Sequence, residues 1–492
     1  MAEDGEASAR ALRPEFEDPG RAIRLAAAYG EIDRIFAEFR ERVHAPGVAY
    51  GVVVDGELAH AGAHGLADVE AAQAAAPTTI FRIASMTKSV TAVCCLALRD
   101  QGRLGLDDPV VRHLPEAAGL RPLTKDSPAI TIRHLLTMSA GLVTDDPWGD
   151  RQLAMAPEEL DRFLGGGVPL NRPAGVAYEY SNLGYAILGR IVARVTGMPF
   201  ADFAAAQVLG PLGMGDSHFD LGQAPAARRA RGYRWEDGVW SREVALGDGA
   251  FGPMGGLWTT IEDFARYVAF HLDAWPPRDD PEGGPLTRSS RREMQQGQRL
   301  CWPRPEWMPA VPSAYGYGLV TSIDQRLGLS VAHSGGLPGF GSRVCLLPHH
   351  GVGVIGFANV TYAPAHEPVG AAIQALAATG ALQPRVTPPS AGVSAAREWV
   401  ERLYCGWDAA EAERLAAPNL FADRSGEHRR RELAALRGAH GALVAVEVLV
   451  AHGALSASWR MRCERGSIGV SVSLAPTTPP RVQALTLTPS DP

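Results

Sequence analysis

A chain of 492 residues with a formal net charge of −7 is too long for one hydrophobic core, so its length predicts two domains. Its 46% hydrophobic and 21% charged residues are typical of a globular protein. The acidic balance argues against nucleic-acid binding, which needs a clustered basic excess. The 6 cysteines and 14 histidines show neither Cys-x-x-Cys nor His-Glu-x-x-His spacing. We therefore expect reduced cysteines, no bound metal and no cofactor.

Two stretches of the sequence bear on targeting. Residues Met1–Glu6 are acidic and lack an apolar core, unlike a secretory signal. The longest apolar run, 183–195, is interrupted by Arg190 and is too short to cross a membrane. We therefore expect a soluble, cytoplasmic protein with no membrane partner. Residues 1–20, which are charged and contain Pro and Gly, are predicted to be a mobile N-terminal segment.

Strand signals at both ends of the region 21–382 enclose a mostly helical stretch, which predicts one antiparallel sheet with a helical insert. Asp55-Gly56, between two strand patterns, is a strong hairpin signal. The stretch 274–312 shows no period and is predicted as a long surface excursion. The predicted elements in chain order are helix 21–43, strands 47–54 and 58–65, a helix from Ser85 to about 101, a helix ending near 272 after the capping residues 259–263, strands 329–333, 342–347 and 352–359, and helix 367–378.

A Pro/Ser/Gly-rich linker over 383–394 predicts a domain boundary. Beyond it, the region 395–492 contains helical patterns over 395–411 and 426–437 and about four short strands over 441–489. We therefore expect a small α+β accessory domain after the main one.

The first fragment with chemical meaning is Ser85–Lys88, with the sequence Ser-Met-Thr-Lys. Ser85 precedes an apolar-periodic run, which places it near a helix N-terminus, where unpaired N–H groups favour negative charge on its oxygen. Lys88 lies three positions on, on the same helix face, within reach of the Ser85 hydroxyl. A lysine, with a reference pKa of ~10.4, becomes a base only where burial or neighbouring cations lower that pKa. Taken alone, the fragment fits a capping serine and a solvated lysine equally well.

Two further fragments lie far along the chain: Tyr180–Asn182, which reads Tyr-Ser-Asn, and His333–Gly336, which reads His-Ser-Gly-Gly. The first lies on a turn that enters a buried helix, and the loop 145–148 is predicted at the rim of the same cleft. The second ends a predicted strand, where small residues let a substrate approach closely. Each fragment alone is explained by structural roles. Together the three fragments supply a nucleophile, two candidate bases and an amide for acyl transfer through a serine ester.

In this order the fragments resemble those of the class C β-lactamase-like serine hydrolases, which include D-amino-acid peptidases, family VIII esterases and some acyltransferases. The resemblance extends from about residue 22 to about 380 and implies an α+β fold, an antiparallel sheet flanked by helices with a helical subdomain. Other stretches that look like signatures of this family are 81–84, 131–137, 139–142, 255–260 and 315–319.

The resemblance implies three catalytic residues. Ser85 attacks the substrate carbonyl, and Lys88 and Tyr180 share proton transfer during acylation. Tyr180 then activates water, or another acceptor, to release the acyl group. The backbone N–H groups of Ser85 and Gly336 hold the oxyanion.

The resemblance also implies four substrate-binding residues: Asn182, His333, Gly335 and Gly336. Asn182 holds the substrate carbonyl and helps to fix the catalytic lysine. His333 stands where β-lactamases proper usually carry the lysine of a Lys-Thr-Gly motif. A histidine can still orient and polarise the catalytic tyrosine, but its charge at neutral pH is not assured. This departure argues against β-lactamase activity, which relies on a fixed cation to receive the drug carboxylate.

We therefore expect a serine hydrolase that acts on a small ester or a D-amino-acid-type amide, with a small molecule or a short peptide as its substrate. The same residues also suit an acyltransferase or a peptide macrocyclase, which passes the acyl group to an amine or an alcohol. A non-catalytic module that binds β-lactams or peptides is a third interpretation, disfavoured because no motif position is damaged.

Overall fold

The computed structural model describes residues 13–301 and 312–490. The chain forms two compact units, one over Pro19–Pro384 and one that joins the residues up to Asp18 with those from Arg385 onward. Of the segment predicted to be mobile, residues 1–12 lie outside the described part, and Glu15 forms a bridge with Val386 through backbone hydrogen bonds of 3.0 and 2.8 Å. The domain boundaries at 382 and 395 stay a prediction.

The larger unit is built on a nine-stranded sheet with the order β3-β2-β1-β13-β12-β11-β10-β9-β8, in which every neighbouring pair is antiparallel. Because β1 pairs with β13, the two ends of the unit meet in the middle of the sheet, as the sequence predicts. Four further strands of this unit form two separate pairs, β4 with β7 and β5 with β6. The strands of the unit are β1 (Gly47–Val54), β2 (Glu57–Asp68), β3 (Gln73–Ala74), β4 (Phe81–Arg82), β5 (Tyr233–Glu236), β6 (Val239–Arg242), β7 (Trp258–Thr259), β8 (Arg299–Leu300), β9 (Ser313–Tyr315), β10 (Val320–Asp324), β11 (Gly328–Leu337), β12 (Phe340–Leu347) and β13 (Val352–Ala358).

The predicted hairpin between β1 and β2 is confirmed. Asp55 and Gly56 both have a positive φ, 53° and 91°, as a two-residue hairpin turn requires. Along β1, Val48 and Val52 face one core cluster while Ala49 faces the other. The period of two thus splits a fully buried strand between two hydrophobic layers.

Helices cover both faces of this sheet. Side chains of α2 and α13, such as Phe36 and Ile373, form one core with β1, and α11 packs on the opposite face through Phe264. The helices of the larger unit are α1 (Arg21–Leu25), α2 (Tyr29–Arg42), α3 (Thr87–Asp100), α4 (Val110–His113), α5 (Ile132–Leu136), α6 (Asp146–Gly149), α7 (Pro157–Gly165), α8 (Asn182–Thr196), α9 (Phe200–Ala204), α10 (Gly252–Gly255), α11 (Ile261–Leu272), α12 (Arg288–Met294) and α13 (His366–Ala378).

Three predicted elements differ from the structure. β11 does not end at His333 but continues to Leu337, because its glycines still pair with β12. The helix predicted over 21–43 is divided by a 3-10 turn at Ala26–Ala28. The stretch 274–312 contains α12 and β8 and buries Met294, so its described part is not only a surface excursion. Residues 302–311 of that stretch lie outside the described part.

The smaller unit packs helices on a five-stranded antiparallel sheet of order β14-β16-β17-β18, with β15 beside β16. The sequence predicts about four strands here and one helix over 395–411. The structure shows two helices in place of that one, because Asp408 caps a second helix through the N–H of Glu411. The elements are α14 (Ala391–Cys405), α15 (Ala409–Leu415), α16 (Pro418–Asp423), α17 (Gly426–His440), β14 (Leu443–Val446), β15 (Val450–Gly453), β16 (Ser456–Cys463), β17 (Ser467–Leu474) and β18 (Val482–Ser490).

Two expectations about the whole chain are tested by the described residues. The cysteines are all free, and five of the six are buried. Within 13–301 and 312–490, no helix is both long and apolar enough to span a membrane.

Candidate active site

Ser85 lies in a 3-10 turn, Ala84–Met86, between β4 and the first residue of α3. Ala84 has a φ of 49°, a left-handed conformation that a residue with a side chain rarely adopts. The hydroxyl of Thr87 donates to the Ala84 carbonyl at 2.7 Å and holds this turn. Ser85 is only 5% exposed, so the nucleophile predicted from the sequence is almost completely buried.

Lys88 is fully buried in the first turn of α3. Its Nζ lies 2.9 Å from the Ser85 Oγ, 2.7 Å from the Asn182 Oδ1 and 2.8 Å from the Met254 carbonyl oxygen. The three contacts match the three protons of an ammonium group. The structure therefore brings the first two predicted fragments together around one amine.

Asn182, the first residue of α8, is completely buried and is held by acidic side chains. Its backbone N–H donates to Asp145 at 2.6 Å, and its Nδ2 donates to Asp146 at 2.9 Å and to Asp150 at 3.4 Å. Because the carboxylates take the amide NH₂, the amide oxygen must point at Lys88. The loop that the sequence places at the cleft rim thus orients Asn182.

Asp150 also connects the Asn182 amide to β11, through Tyr362. The Tyr362 hydroxyl donates to the Asp150 Oδ2 at 2.9 Å. A Cβ on Gly336 would stand 2.9 Å from the Tyr362 ring, so the ring lies directly on this part of β11. Tyr362 itself has a φ of 53°, and its N–H bonds to the Leu337 and Phe340 carbonyls. The tyrosine therefore bridges the strand edge and the support of the lysine.

Burial shifts the pKa values of Lys88 and of two carboxylates around it, and the charge that lysine and carboxylate exert on each other opposes these shifts. Burial lowers the pKa of Lys88 to about 8, although the charges of Asp146, Asp150 and Asp145 oppose this shift. Burial likewise raises the pKa of Asp150 to about 7 and raises that of Asp145. An amine with a pKa near 8 is partly neutral at physiological pH, as a general base needs to be.

Tyr180 lies beside the amine, with its ring centroid 4.8 Å from the Lys88 Nζ. Burial raises the pKa of its hydroxyl well above the ordinary value, the Asp146 charge adds to this, and a hydrogen bond with Ser85 opposes it. The phenol is therefore protonated near neutral pH. The structure places Tyr180 next to the nucleophile as a protonated hydroxyl, whereas the sequence analysis counts it as one of two candidate bases.

His333 lies within β11 and is 4% exposed. Its Nδ1 donates to the Ser334 carbonyl at 2.6 Å, and its Nε2 accepts from the Tyr315 hydroxyl at 3.1 Å. Burial and the Lys88 charge lower its pKa to about 3, so the ring is neutral. Its centroid is 6.3 Å from that of Tyr180, and its hydrogen bonds go to other groups.

Gly335 and Gly336 lie next to the segment that carries the nucleophile. A Cβ on Gly335 would meet the Ile83 carbonyl oxygen at 2.2 Å and the Ser342 Oγ at 2.3 Å, so only glycine fits there. The Ser342 hydroxyl donates to the same Ile83 carbonyl at 2.7 Å. These contacts bind the edge of β11 to the turn before Ser85.

The seven predicted site residues thus lie close together in the structure. Sequence reasoning missed the Met254 carbonyl, because a backbone oxygen has no signature in side-chain patterns. It also missed the roles of Asp145, Asp146 and Asp150, whose clustering ahead of the Tyr-Ser-Asn fragment was the available signal. In the part of the chain that is described, no group of three His, Cys, Asp or Glu side chains could hold a metal ion.

Known proteins share this fold and resemble parts of this sequence. The family model described as Beta-lactamase matches residues 32–379. The octameric penicillin-binding protein homologue from Pyrococcus abyssi has a TM-score of 0.61 at 19% identity, covering 93% of this chain and 95% of that one. The D-alanine carboxypeptidase AmpC from Burkholderia cenocepacia has a TM-score of 0.56 at 22% identity, covering 72% and 99%. These likenesses confirm the predicted β-lactamase-like α+β fold.

Two curated relatives are closer in sequence. Protein flp of Staphylococcus aureus (strain COL) is 28% identical over 335 residues, which cover 67% of this chain and 63% of that protein. Esterase EstB of Burkholderia gladioli is 37% identical over 213 residues, which cover 40% of this chain and 53% of the esterase. The chain therefore spans less than two thirds of the length of either relative.

Proposed function

The chain belongs to the β-lactamase family, and from that premise we propose that it is a serine hydrolase that cleaves small carboxylic esters through an acyl-enzyme on Ser85. One observation carries the proposal: the Nζ of Lys88, an amine whose pKa burial lowers to about 8, lies 2.9 Å from the Ser85 Oγ. A buried amine at this distance can take the hydroxyl proton as the serine attacks.

The contacts of Lys88 decide the direction in which its lone pair points. Asn182 and Met254 offer it only acceptor oxygens, whereas Ser85 carries a hydroxyl proton. A neutral Lys88 therefore keeps two N–H bonds on the acceptors and turns its lone pair to Ser85. The proton moves from Oγ to Nζ while the Oγ–carbonyl bond forms, and the carbonyl oxygen becomes an oxyanion.

Tyr180 supplies the proton that the leaving group needs. Its raised pKa keeps the phenol protonated, so it donates to the departing alkoxide as the ester C–O bond breaks. The ammonium of Lys88, whose Nζ lies 4.8 Å from the Tyr180 ring centroid, then returns a proton to the phenolate. In deacylation, water attacks the acyl carbonyl and loses its proton through Tyr180 to Lys88, and Lys88 returns that proton to the Ser85 Oγ as the acyl–Oγ bond breaks. In this proposal Lys88 is the base of both steps and Tyr180 is the relay.

Substrate binding falls to the backbone of β11. We assign the oxyanion to the N–H groups of Ser85 and Gly336, on the two segments that Gly335 and Ser342 hold together. Asn182 is fully buried with its amide engaged at both ends, so we assign it to the positioning of Lys88 and not to contact with the substrate.

The state of His333 favours esters over β-lactam drugs. The ring is buried and neutral, with a pKa lowered to about 3 and both nitrogens engaged. It therefore offers no positive charge to a drug carboxylate at this position of β11. The 37% identity with an esterase over part of the chain agrees with this choice.

Intact-mass spectrometry with p-nitrophenyl butyrate tests the proposal. We expect a butyryl adduct on the protein, release of nitrophenol, and loss of both in Ser85→Ala. Ser89→Ala is the matched control, since Ser89 is also buried, lies in the first turn of the helix that follows Ser85, and donates to the Met86 carbonyl at 2.8 Å. Unchanged turnover in Ser85→Ala would contradict the assignment.

The same assay separates the alternatives. With a penicillin added, a stable adduct without turnover and without ester cleavage would support a binding module in place of an enzyme. With an added amine, a butyryl amide that forms faster than butyrate would support an acyltransferase or a macrocyclase. Butyrate as the main product supports the hydrolase.

A further inference from the structure

A cavity of about 320 Å³ lies beside the nucleophile segment, on the side of β4 and β7. Most of its wall is apolar, but arginines also contribute to it. The residues that matter here are Arg82, Arg231, Arg242, Leu221, Trp258 and Leu337. Two of them border the candidate active site in sequence, since Arg82 precedes Ser85 by three residues and Leu337 follows Gly336.

Arg82 is the unusual member of this wall. Its side chain is 4% exposed, and its guanidinium stacks on the Trp258 ring at 4.8 Å. The Nε of Arg82 and the Nε1 of Trp258 are both buried without a hydrogen-bond partner among the described residues. Buried donors normally have partners, because a donor left without one costs about 1–3 kcal/mol. Two unmatched donors in the wall of one cavity point to an acceptor that binds there.

The charge of Arg82 is also not neutralised by contact. Burial lowers its pKa to about 10, so it stays protonated near neutral pH, and Asp248 acts on it only as a charge that raises the pKa. No ion pair joins Arg82 to a carboxylate within residues 13–301 and 312–490. A buried cation without a partner is unfavourable unless an anion meets it.

The remaining charged groups of the wall leave it positive. Arg231 is paired with Asp68 at 3.2 Å, and Arg242 is exposed on β6. Glu243 is the one acidic side chain of this wall that is described, and its weak contacts are with Arg234 at 3.5 Å and Arg151 at 3.8 Å. Apolar walls with a few placed charges suit a ligand that has a hydrocarbon part and an anionic end.

The position of the cavity indicates which part of a substrate it receives. Arg82 stands three residues before Ser85, and Leu337, also in the wall of the cavity, directly follows Gly336. Leu337 and Ala84 both lie against Gly255, on which a Cβ would contact them at 3.5–3.7 Å. The wall of the cavity therefore begins one residue after the glycine to which we assign the oxyanion.

We propose that this cavity binds a carboxylate at the far end of the acyl chain, so that the preferred substrates are monoesters of aliphatic dicarboxylic acids. The proposal rests on the esterase function proposed above and names its substrate class. The cation that is absent at His333 is thus present at Arg82, three residues before the nucleophile. A guanidinium binds a carboxylate through two parallel hydrogen bonds, and Arg82 offers its buried fork to one.

Two p-nitrophenyl esters of equal chain length test the preference: the adipate monoester, which ends in a carboxylate, and the hexanoate, which ends in a methyl group. We expect kcat/KM to favour the adipate monoester by about 10- to 100-fold, the value of one buried charge-assisted contact. Arg82→Gln is expected to abolish this preference, and the readout is the ratio of kcat/KM for the two esters within each protein, which a general loss of activity does not change. Arg103→Gln, an exposed arginine elsewhere on the same unit, is the control and keeps the preference.

A cavity-filling variant keeps the test decisive if Arg82→Gln does not fold. Leu221→Trp leaves the arginine in place and occupies the space, and it is expected to lose the adipate preference as well. A wild-type enzyme without preference for the adipate monoester, or a preference that survives both variants, would overturn the proposal.

Binding without turnover separates this inference from the function on which it rests. Calorimetric titration of Ser85→Ala with monoethyl adipate is expected to show binding about 10- to 100-fold tighter than in the Ser85→Ala/Arg82→Gln double variant. If no ester is cleaved but this binding difference is found, the esterase function fails and the anion site stands. If esters are cleaved and the two proteins bind monoethyl adipate equally, the anion site fails alone.

Discussion

Two polar clusters of this protein lie on opposite faces of one sheet and have opposite electrostatic outcomes. In the first, Lys88 is fully buried, and burial lowers its pKa despite three nearby carboxylates. In the second, Asp33 of α2 accepts hydrogen bonds from Tyr50 at 2.7 Å and from His60 at 2.6 Å. Burial raises the pKa of Asp33, but these bonds outweigh it and the pKa is lowered.

The two clusters differ in their exposure to solvent and in their hydrogen bonds. The Asp33 side chain is 42% exposed, so solvent and its partners both stabilise the charge. Lys88 has no solvent contact, and its charge depends on three acceptors. A group whose charged form is destabilised by burial can lose its proton during a reaction. A group whose charged form is stabilised by solvent and hydrogen bonds instead contributes to the stability of the fold. We therefore expect substitutions in the first cluster to change the rate and those in the second to change the stability.

The largest effect is expected for Lys88→Met, which removes the amine and keeps an apolar side chain of similar length. Because a positioned general base contributes about 10²- to 10⁴-fold, kcat/KM for p-nitrophenyl butyrate is expected to fall by that factor. Circular dichroism checks that the variant is folded, and Lys125→Met, at an exposed position, is expected to keep full activity. A Lys88→Met enzyme within tenfold of the wild type would contradict the role of the amine.

The second-largest effect is expected in the pH dependence of kcat/KM. Only neutral Lys88 can take the serine proton, and its pKa is about 8. The neutral fraction therefore rises by about 50-fold between pH 6 and pH 8, and kcat/KM for a neutral ester is expected to rise with it. A stopped-flow profile over pH 5–10 measures this limb, and a flat profile over that range would rule out Lys88 as the titrating base.

Asp150 provides the matched variant for that profile. Its charge raises the pKa of Lys88, so Asp150→Asn is expected to move the limb to lower pH. Asp107→Asn, at a carboxylate paired with Arg133 on the surface, is expected to leave the limb in place. Equal shifts in both variants would mean that overall charge, and not the contact around Asn182, sets the pKa of the lysine.

The parts of this site that sequence predicts are those that depend on local geometry. Ser85 and Lys88 are three residues apart, so helical spacing alone brings them together. The antiparallel sheet likewise follows from alternating strands and one Asp-Gly turn. Asn182 is 94 residues from Lys88 in the chain, and motif order indicates that they belong together without giving the contact.

Long-range contacts could not be predicted in this way. Asp150 and Tyr362 are 212 residues apart, and their hydrogen bond depends on how α6 and the segment after β13 are placed in three dimensions. The neutral state of His333 is a second example, because it follows from burial and from Lys88 on another element. Residue type alone left that charge open, and only the packed structure gives its direction.

The smallest effect is expected for Asp33→Asn, in the second cluster. The variant keeps one acceptor oxygen but loses the charge that binds Tyr50 and His60, and a partly exposed contact of this kind contributes about 1 kcal/mol to the free energy of unfolding. Because the pKa of Asp33 is lowered in the folded protein, this contribution is present above pH ~4 and is lost as the pH falls through the folded-state value. Urea unfolding is therefore expected to separate the two proteins at pH 7 and to bring them together once the pH is below the folded-state pKa of Asp33, with ester cleavage unchanged within about twofold at pH 7. A tenfold loss of activity without loss of stability would show that the two faces of the sheet are coupled and would end the contrast between the clusters.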